Sequence, residues 1–143
     1  MKNDDVGIYL EQPLTDKKSA LKFLYDNCNI KDHISHNFFL ENLEKREKQG
    51  SIEIAEGVIL PHFEHEALTR TKIIIIRPLE SIKNWSSTIS KVDLVIALLY
   101  KAGDSLNEIK MLMKMLAKDS VIESLKNEEI EIVNQIIRSK LCK

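Results

Sequence analysis

Lys72-Ile73-Ile74-Ile75-Ile76-Arg77-Pro78 is the stretch on which the fold turns. Its β-branched residues favour extended backbone, and the run does not alternate with polar residues, so it predicts a central strand covered on both faces. Charge bounds it at either end, and Pro78 has no amide hydrogen to continue a ladder. Val92 to Tyr100 reads in the same way, as a second central strand with Asp93 set into an apolar run. Helical patterns lie on either side of these strands in the chain. Ala20, Leu21, Leu24 and Cys28 recur at helical spacing behind Thr15 and Asp16, an N-cap and an acidic first turn, which predicts a helix to about Asn27. A second helix is predicted from Asp32 to about Gln49, stopped by Gly50, with Phe39 and Leu43 on its buried face. Gly7 to Leu10 and Ser51 to Ile54 are short extended segments, and Glu80 to Ser90 is a loop holding Trp85. Beyond Gly103 and Asp104 comes a helix carrying Ile109, Leu112, Met113 and Leu116, with Met111, Met113 and Met115 as adaptable core filling. Ser120 and Glu123 stand at capping-box spacing for the next helix, and Ile130, Val133, Ile136 and Ile137 give the last one its apolar face. The expected fold is α/β: a central mixed β-sheet flanked by helices on both sides, in one domain spanning residues 1–143.

Composition narrows the function. A formal net charge of −1, with Lys and Arg scattered among Asp and Glu, gives no general argument for nucleic acid or an anionic membrane surface. Met1 to Asp5 lacks the apolar stretch of a secretory signal, and no apolar run approaches the length of a membrane span, so no membrane insertion is expected. Cys28 and Cys142 are far apart and form no C-x-x-C pair, which fits a cytoplasmic protein with reduced thiols.

Candidate chemistry gathers at Gly57-Val58-Ile59-Leu60-Pro61-His62-Phe63. Gly57 turns the chain into a strand, Pro61 is expected to end it, and His62 follows at the strand's rim, well placed for chemistry. The bland alternative is a satisfied strand-end histidine. The four histidines also form two H-x-x-H pairs, His33 with His36 and His62 with His65. Paired imidazoles can chelate zinc, but neither pair has an acidic or cysteine ligand at a recognisable spacing. Surface placement accounts for His33, His36 and His65, and no metal or cofactor is expected. On the second helix, continuing the buried face by three residues from Leu43 reaches Arg46, while Glu44, Lys45, Glu47 and Lys48 can point to water. Periodicity alone makes Arg46 a snorkelling residue at the rim of the core.

A resemblance gives these residues a job. Arg46-Glu47-Lys48-Gln49-Gly50-Ser51, followed by Gly57 to His62, resembles the R-E-x-x-G-S and G-I-A-x-P-H-G motifs of enzyme IIA domains of the fructose and mannitol class. These domains serve the bacterial phosphoenolpyruvate-dependent sugar phosphotransferase system. Asn84-Trp85 falls where the family often has a D-W pair, and Val92-Asp93-Leu94-Val95 is similar to its V-D-L-V strand. The resemblance implies a mannitol-type IIA fold with His62 as phosphoryl-accepting nucleophile and Arg46 as the cation stabilising the phosphoryl group. Ser51 is a further candidate for a phosphate contact, or equally a turn residue. The implied partners are the histidine phosphocarrier protein as donor and a IIB component of a sugar permease as acceptor. Two positions depart from the pattern. Phe63 replaces a glycine, which is expected to narrow the approach to His62 and to offer partners an apolar patch. Glu108 stands at the position of a second family histidine, where it would either hydrogen-bond His62 or, with Ser105, close a capping box. These departures keep open an alternative: a IIA-like regulatory module whose phosphorylation state controls a transcription regulator or other partner.

Overall fold

In a computed structural model of the chain, residues 1–142 are described; Lys143, the last residue of the expected domain, lies outside them. A short 3-10 turn (Asn3–Asp5) leads into strand β1 (Val6–Gln12), followed by helices α1 (Lys17–Asn27) and α2 (His36–Gln49). Strands β2 (Glu53–Ala55), β3 (Val58–Ile59), β4 (His62–His65), β5 (Lys72–Pro78), β6 (Ile82–Lys83), β7 (Lys91–Val92) and β8 (Leu94–Lys101) come next. Helices α3 (Asn107–Leu116), α4 (Asp119–Asn127) and α5 (Ile130–Leu141) complete the fold. The main sheet runs β1-β5-β8-β3-β2, with β4 also on β8, and it is mixed: β1 is parallel to β5, β5 antiparallel to β8, and β3 and β4 parallel to β8.

The isoleucine run of β5 is apolar throughout because successive side chains serve two cores. Ile74 and Ile76 pack towards α1 and α2, whereas Ile73 and Ile75 pack towards α3, α4 and α5. The neighbouring β8 divides likewise, Val95, Ala97 and Leu99 on one side and Leu94, Ile96 and Leu98 on the other. The expected central mixed sheet covered on both sides is therefore present. Among the described residues no helix is long and apolar enough to cross a membrane.

Several boundaries move. Helix α2 starts at His36 and not after Asp32, because the Ser35 hydroxyl accepts from the Phe38 amide (3.2 Å), while residues 30–34 form a turn that buries Ile34. It ends as expected at Gln49, but Gly50 is extended (φ 173°) and not a left-handed cap. Neither expected capping box in the C-terminal half forms. Ser105 accepts from Asn107 N–H (3.2 Å), so α3 begins one residue too late for Glu108 to close the box. Helix α4 begins at Asp119 with Lys118 as N-cap, placing Ser120 inside the first turn. Met113 is exposed and Met115 takes the buried place beside Leu112 and Leu116. The Glu80–Ser90 loop contains β6, which pairs with β7, so Val92 belongs to a separate two-stranded sheet and β8 begins only at Leu94.

Candidate functional site

The strand entered from Gly57 does end before Pro61, since β3 stops at Ile59 and β4 begins at His62. Strands β3 and β4 occupy one lane along β8 in unbroken register, with partners 36 residues apart on both sides of the proline (Val58↔Leu94, His62↔Leu98). Leu60 turns its amide aside to Ile52 O (2.7 Å), Pro61 has none to give, and Pro61 O still accepts from Leu98 N–H (2.9 Å). The proline thus interrupts the ladder, and His62, just beyond the end of β3, opens β4 in the same lane. The lane's start is fixed by Gly57, at φ 73°, whose carbonyl accepts from the amides of Asp93 (2.7 Å) and Leu94 (3.1 Å). A Cβ at Gly57 would also collide with the Asp93 carboxylate, so glycine is required both by backbone conformation and by space.

Arg46 arrives from α2. Its Nε donates a hydrogen bond of 3.2 Å to Nε2 of His62. An imidazole nitrogen that accepts from a guanidinium carries its lone pair outward and leaves the proton on Nδ1. Partial burial, then the Arg46 charge, hold the His62 pKa below its ordinary 6.5, against a weaker opposing effect of Glu64. His62 is thus neutral at neutral pH, with its Nε2 lone pair facing a permanent cation. That arrangement suits nucleophilic attack on an electrophile bearing negative charge.

Around this pair the cleft is lined by Lys17 and Leu21 of α1, Glu44 and Glu47 of α2, Ile52 and Trp85. Glu47 does not point to water as its neighbours suggest. Its Oε1 accepts from the indole Nε1 of Trp85 (2.8 Å), and its Oε2 is paired with the Lys17 ammonium. Trp85 is 4% exposed, and Lys17 Nζ lies 5.6 Å from its ring centroid. The Asn84-Trp85 pair marked this loop in the sequence, but helical periodicity gave no reason to bring Glu47 to it.

The other candidates lie elsewhere. Glu108 is on the first turn of α3, where it pairs with the Met1 amino group (3.6 Å) and lines a cleft with Asp5, Arg70 and Asp104; the structure does not bring it to His62. The physical reason is that β8 runs on to Lys101 and the first turn of α3 lies beside Met1 and Asp5, ahead of β1. Phe63 is 2% exposed and packs on Phe39 (centroids 5.1 Å apart), so it neither narrows the approach to His62 nor forms a surface patch. The exposed aromatic on that flank is Phe38, edge-on to His65 at 5.4 Å. The H-x-x-H pairs are divided: His62 faces Arg46, His65 Nδ1 accepts from Ala67 N–H (2.9 Å), and His36 is half-buried with its ring against Tyr25. Ser51 accepts from Glu53 N–H (3.1 Å), a turn contact. Burial pushes the Cys28 thiol up to about 12, which leaves it inert at neutral pH.

Three comparisons bear on this geometry. The family described as "Phosphoenolpyruvate-dependent sugar phosphotransferase system, EIIA 2" matches residues 3–140. The multiphosphoryl transfer protein 1 of Escherichia coli K12 is 29% identical over 113 residues, 78% of this chain, and the chain spans only 14% of that relative's length. Among solved structures, nitrogen regulatory protein IIA-Ntr from Neisseria meningitidis superposes with a TM-score of 0.73 at 23% identity, covering 94% of this chain and 93% of that one. The complex of mannitol enzyme IIA with phosphorylated mannitol enzyme IIB from Escherichia coli gives a TM-score of 0.70 at 18% identity and covers 97% of both chains. These structures are similar to this chain in fold.

Proposed function

This chain belongs to the EIIA 2 family of the phosphoenolpyruvate-dependent sugar phosphotransferase system, and on that premise we propose that it carries a phosphoryl group on His62, taken from the histidine phosphocarrier protein and passed to a IIB component for sugar uptake. The observation that carries the reading is the Arg46 Nε to His62 Nε2 hydrogen bond, which sets a neutral nucleophile against a fixed cation. Nε2 attacks phosphorus in line; the Nε2–P bond forms as the donor's N–P bond breaks, and that bond's electron pair returns to the donor ring nitrogen. Arg46 releases Nε2 as the bond forms and turns its N–H fork to the phosphoryl oxygens, where charge accumulates. Glu108 has no part in this step. The IIB partner is supported by the mannitol IIA–IIB complex, whose IIA is similar to this chain in fold.

Incubation with phosphoenolpyruvate, enzyme I and the histidine phosphocarrier protein is expected to give an acid-labile, alkali-stable phosphate on the chain. His62→Ala should abolish it. A wild-type chain without label refutes the carrier reading, and label on the His62→Ala variant refutes the site. Onward transfer to a IIB component with sugar phosphorylation separates uptake from a regulatory role.

A further inference from the structure

Arg46 is a cation in acidic company, yet among the described residues its guanidinium makes no ion pair. Glu44 and Glu47 line the same cleft, and the only hydrogen bond the Arg46 guanidinium makes among the described residues is to His62. Glu47, the next residue on α2, could take Arg46 for itself, because an arginine–carboxylate pair is stronger than an arginine–imidazole contact. Both of its oxygens are already engaged, one by the Trp85 indole and one by the Lys17 ammonium. Glu47 and Lys17 are mostly shielded from water, at 15% and 24% side-chain exposure. We infer that Lys17 and Trp85 are positioning residues that hold the Glu47 carboxylate away from Arg46, so that Arg46 stays free for the phosphoryl group on His62. The inference rests on the phosphoryl-acceptor reading of His62 for its purpose, but not for its test.

Removing either anchor should release Glu47 to capture Arg46. The charged groups acting on His62 are Arg46 and Glu64, with Lys17, Glu44 and Glu47 around its cleft. In Lys17→Met, withdrawal of the Arg46 charge should raise the His62 pKa, read by NMR titration of the ring protons. Transfer from the phosphocarrier protein should slow by about tenfold, as expected for a displaced catalytic group. Lys17→Met/Glu47→Gln removes the competing charge as well, and both quantities should return towards wild type. Trp85→Phe, which removes the indole donor along with part of the ring and changes no charge, should act in the same direction as Lys17→Met. A His62 pKa that does not move in folded Lys17→Met overturns the inference, as does a double variant no closer to wild type than the single one. A wild-type chain that takes no label would instead refute the carrier reading, leaving the pKa comparison to decide the clamp.

Discussion

Protonation of His62 and its hydrogen bond from Arg46 exclude one another, because Nε2 cannot accept from a guanidinium once it carries a proton. Nucleophilic competence is therefore held above the His62 pKa and lost as pH falls through it. Burial and Arg46 place that pKa below 6.5, so label transfer should persist below pH 6.5 before it fails, a profile obtained by single-turnover transfer across pH. Arg46→Ala should raise the pKa only part of the way to its ordinary value, because burial is the larger cause and remains. It should also slow transfer by about a hundredfold, the scale of losing one preorganised charge-stabilising donor. Arg46→Lys should recover little, since an ammonium offers no planar fork to the phosphoryl oxygens.

Strands β3 and β4 show how a single lane can be broken without losing register. A proline removes one donor, a two-residue detour passes the Leu60 amide to Ile52, just ahead of β2, and β8 carries the alignment across the gap. Gly57 anchors the lane at its start. Gly57→Ala should destabilise the fold by about 1–3 kcal/mol, through left-handed strain and collision with Asp93, measured by urea denaturation. Phe63 is an element-scale residue and not a docking one: Phe63→Ala should cost about 3–5 kcal/mol by opening a cavity against Phe39. Most of the secondary structure was legible because each element carries a local signal. The isoleucine run of β5 is an example, and so is α1, although its N-cap is Asp16, which accepts from Ser19 N–H (2.7 Å), and not Thr15, so that Asp16 does not supply an acidic first turn. The misplaced starts of α2 and α3 share a cause: several Ser, Asp and Asn residues compete for each cap, and the tertiary turn selects one.

At the scale of the whole molecule the sheet separates two cores, and the His62 cleft belongs to the α1–α2 side. A cavity on the far side should therefore lower stability without altering the site. Leu125→Ala, fully buried on α4, is expected to cost about 2–5 kcal/mol while the His62 pKa stays at its wild-type value. A shift in that pKa would show that the sheet transmits strain between its faces. Sequence by itself determined the two-faced sheet, because an apolar run without alternation can be satisfied only by cover on both sides. Its motifs also singled out His62 and Arg46, whose spacing on strand and helix is local information. Only the tertiary structure decided what surrounds them. Glu47 turned inward because Trp85 and Lys17, distant in sequence, converge on it; Phe63 was buried because Phe39 faces it; and Glu108 was held at Met1, away from His62. A side chain's neighbours across elements follow from how helices settle on a sheet, and no local period along the chain encodes that packing.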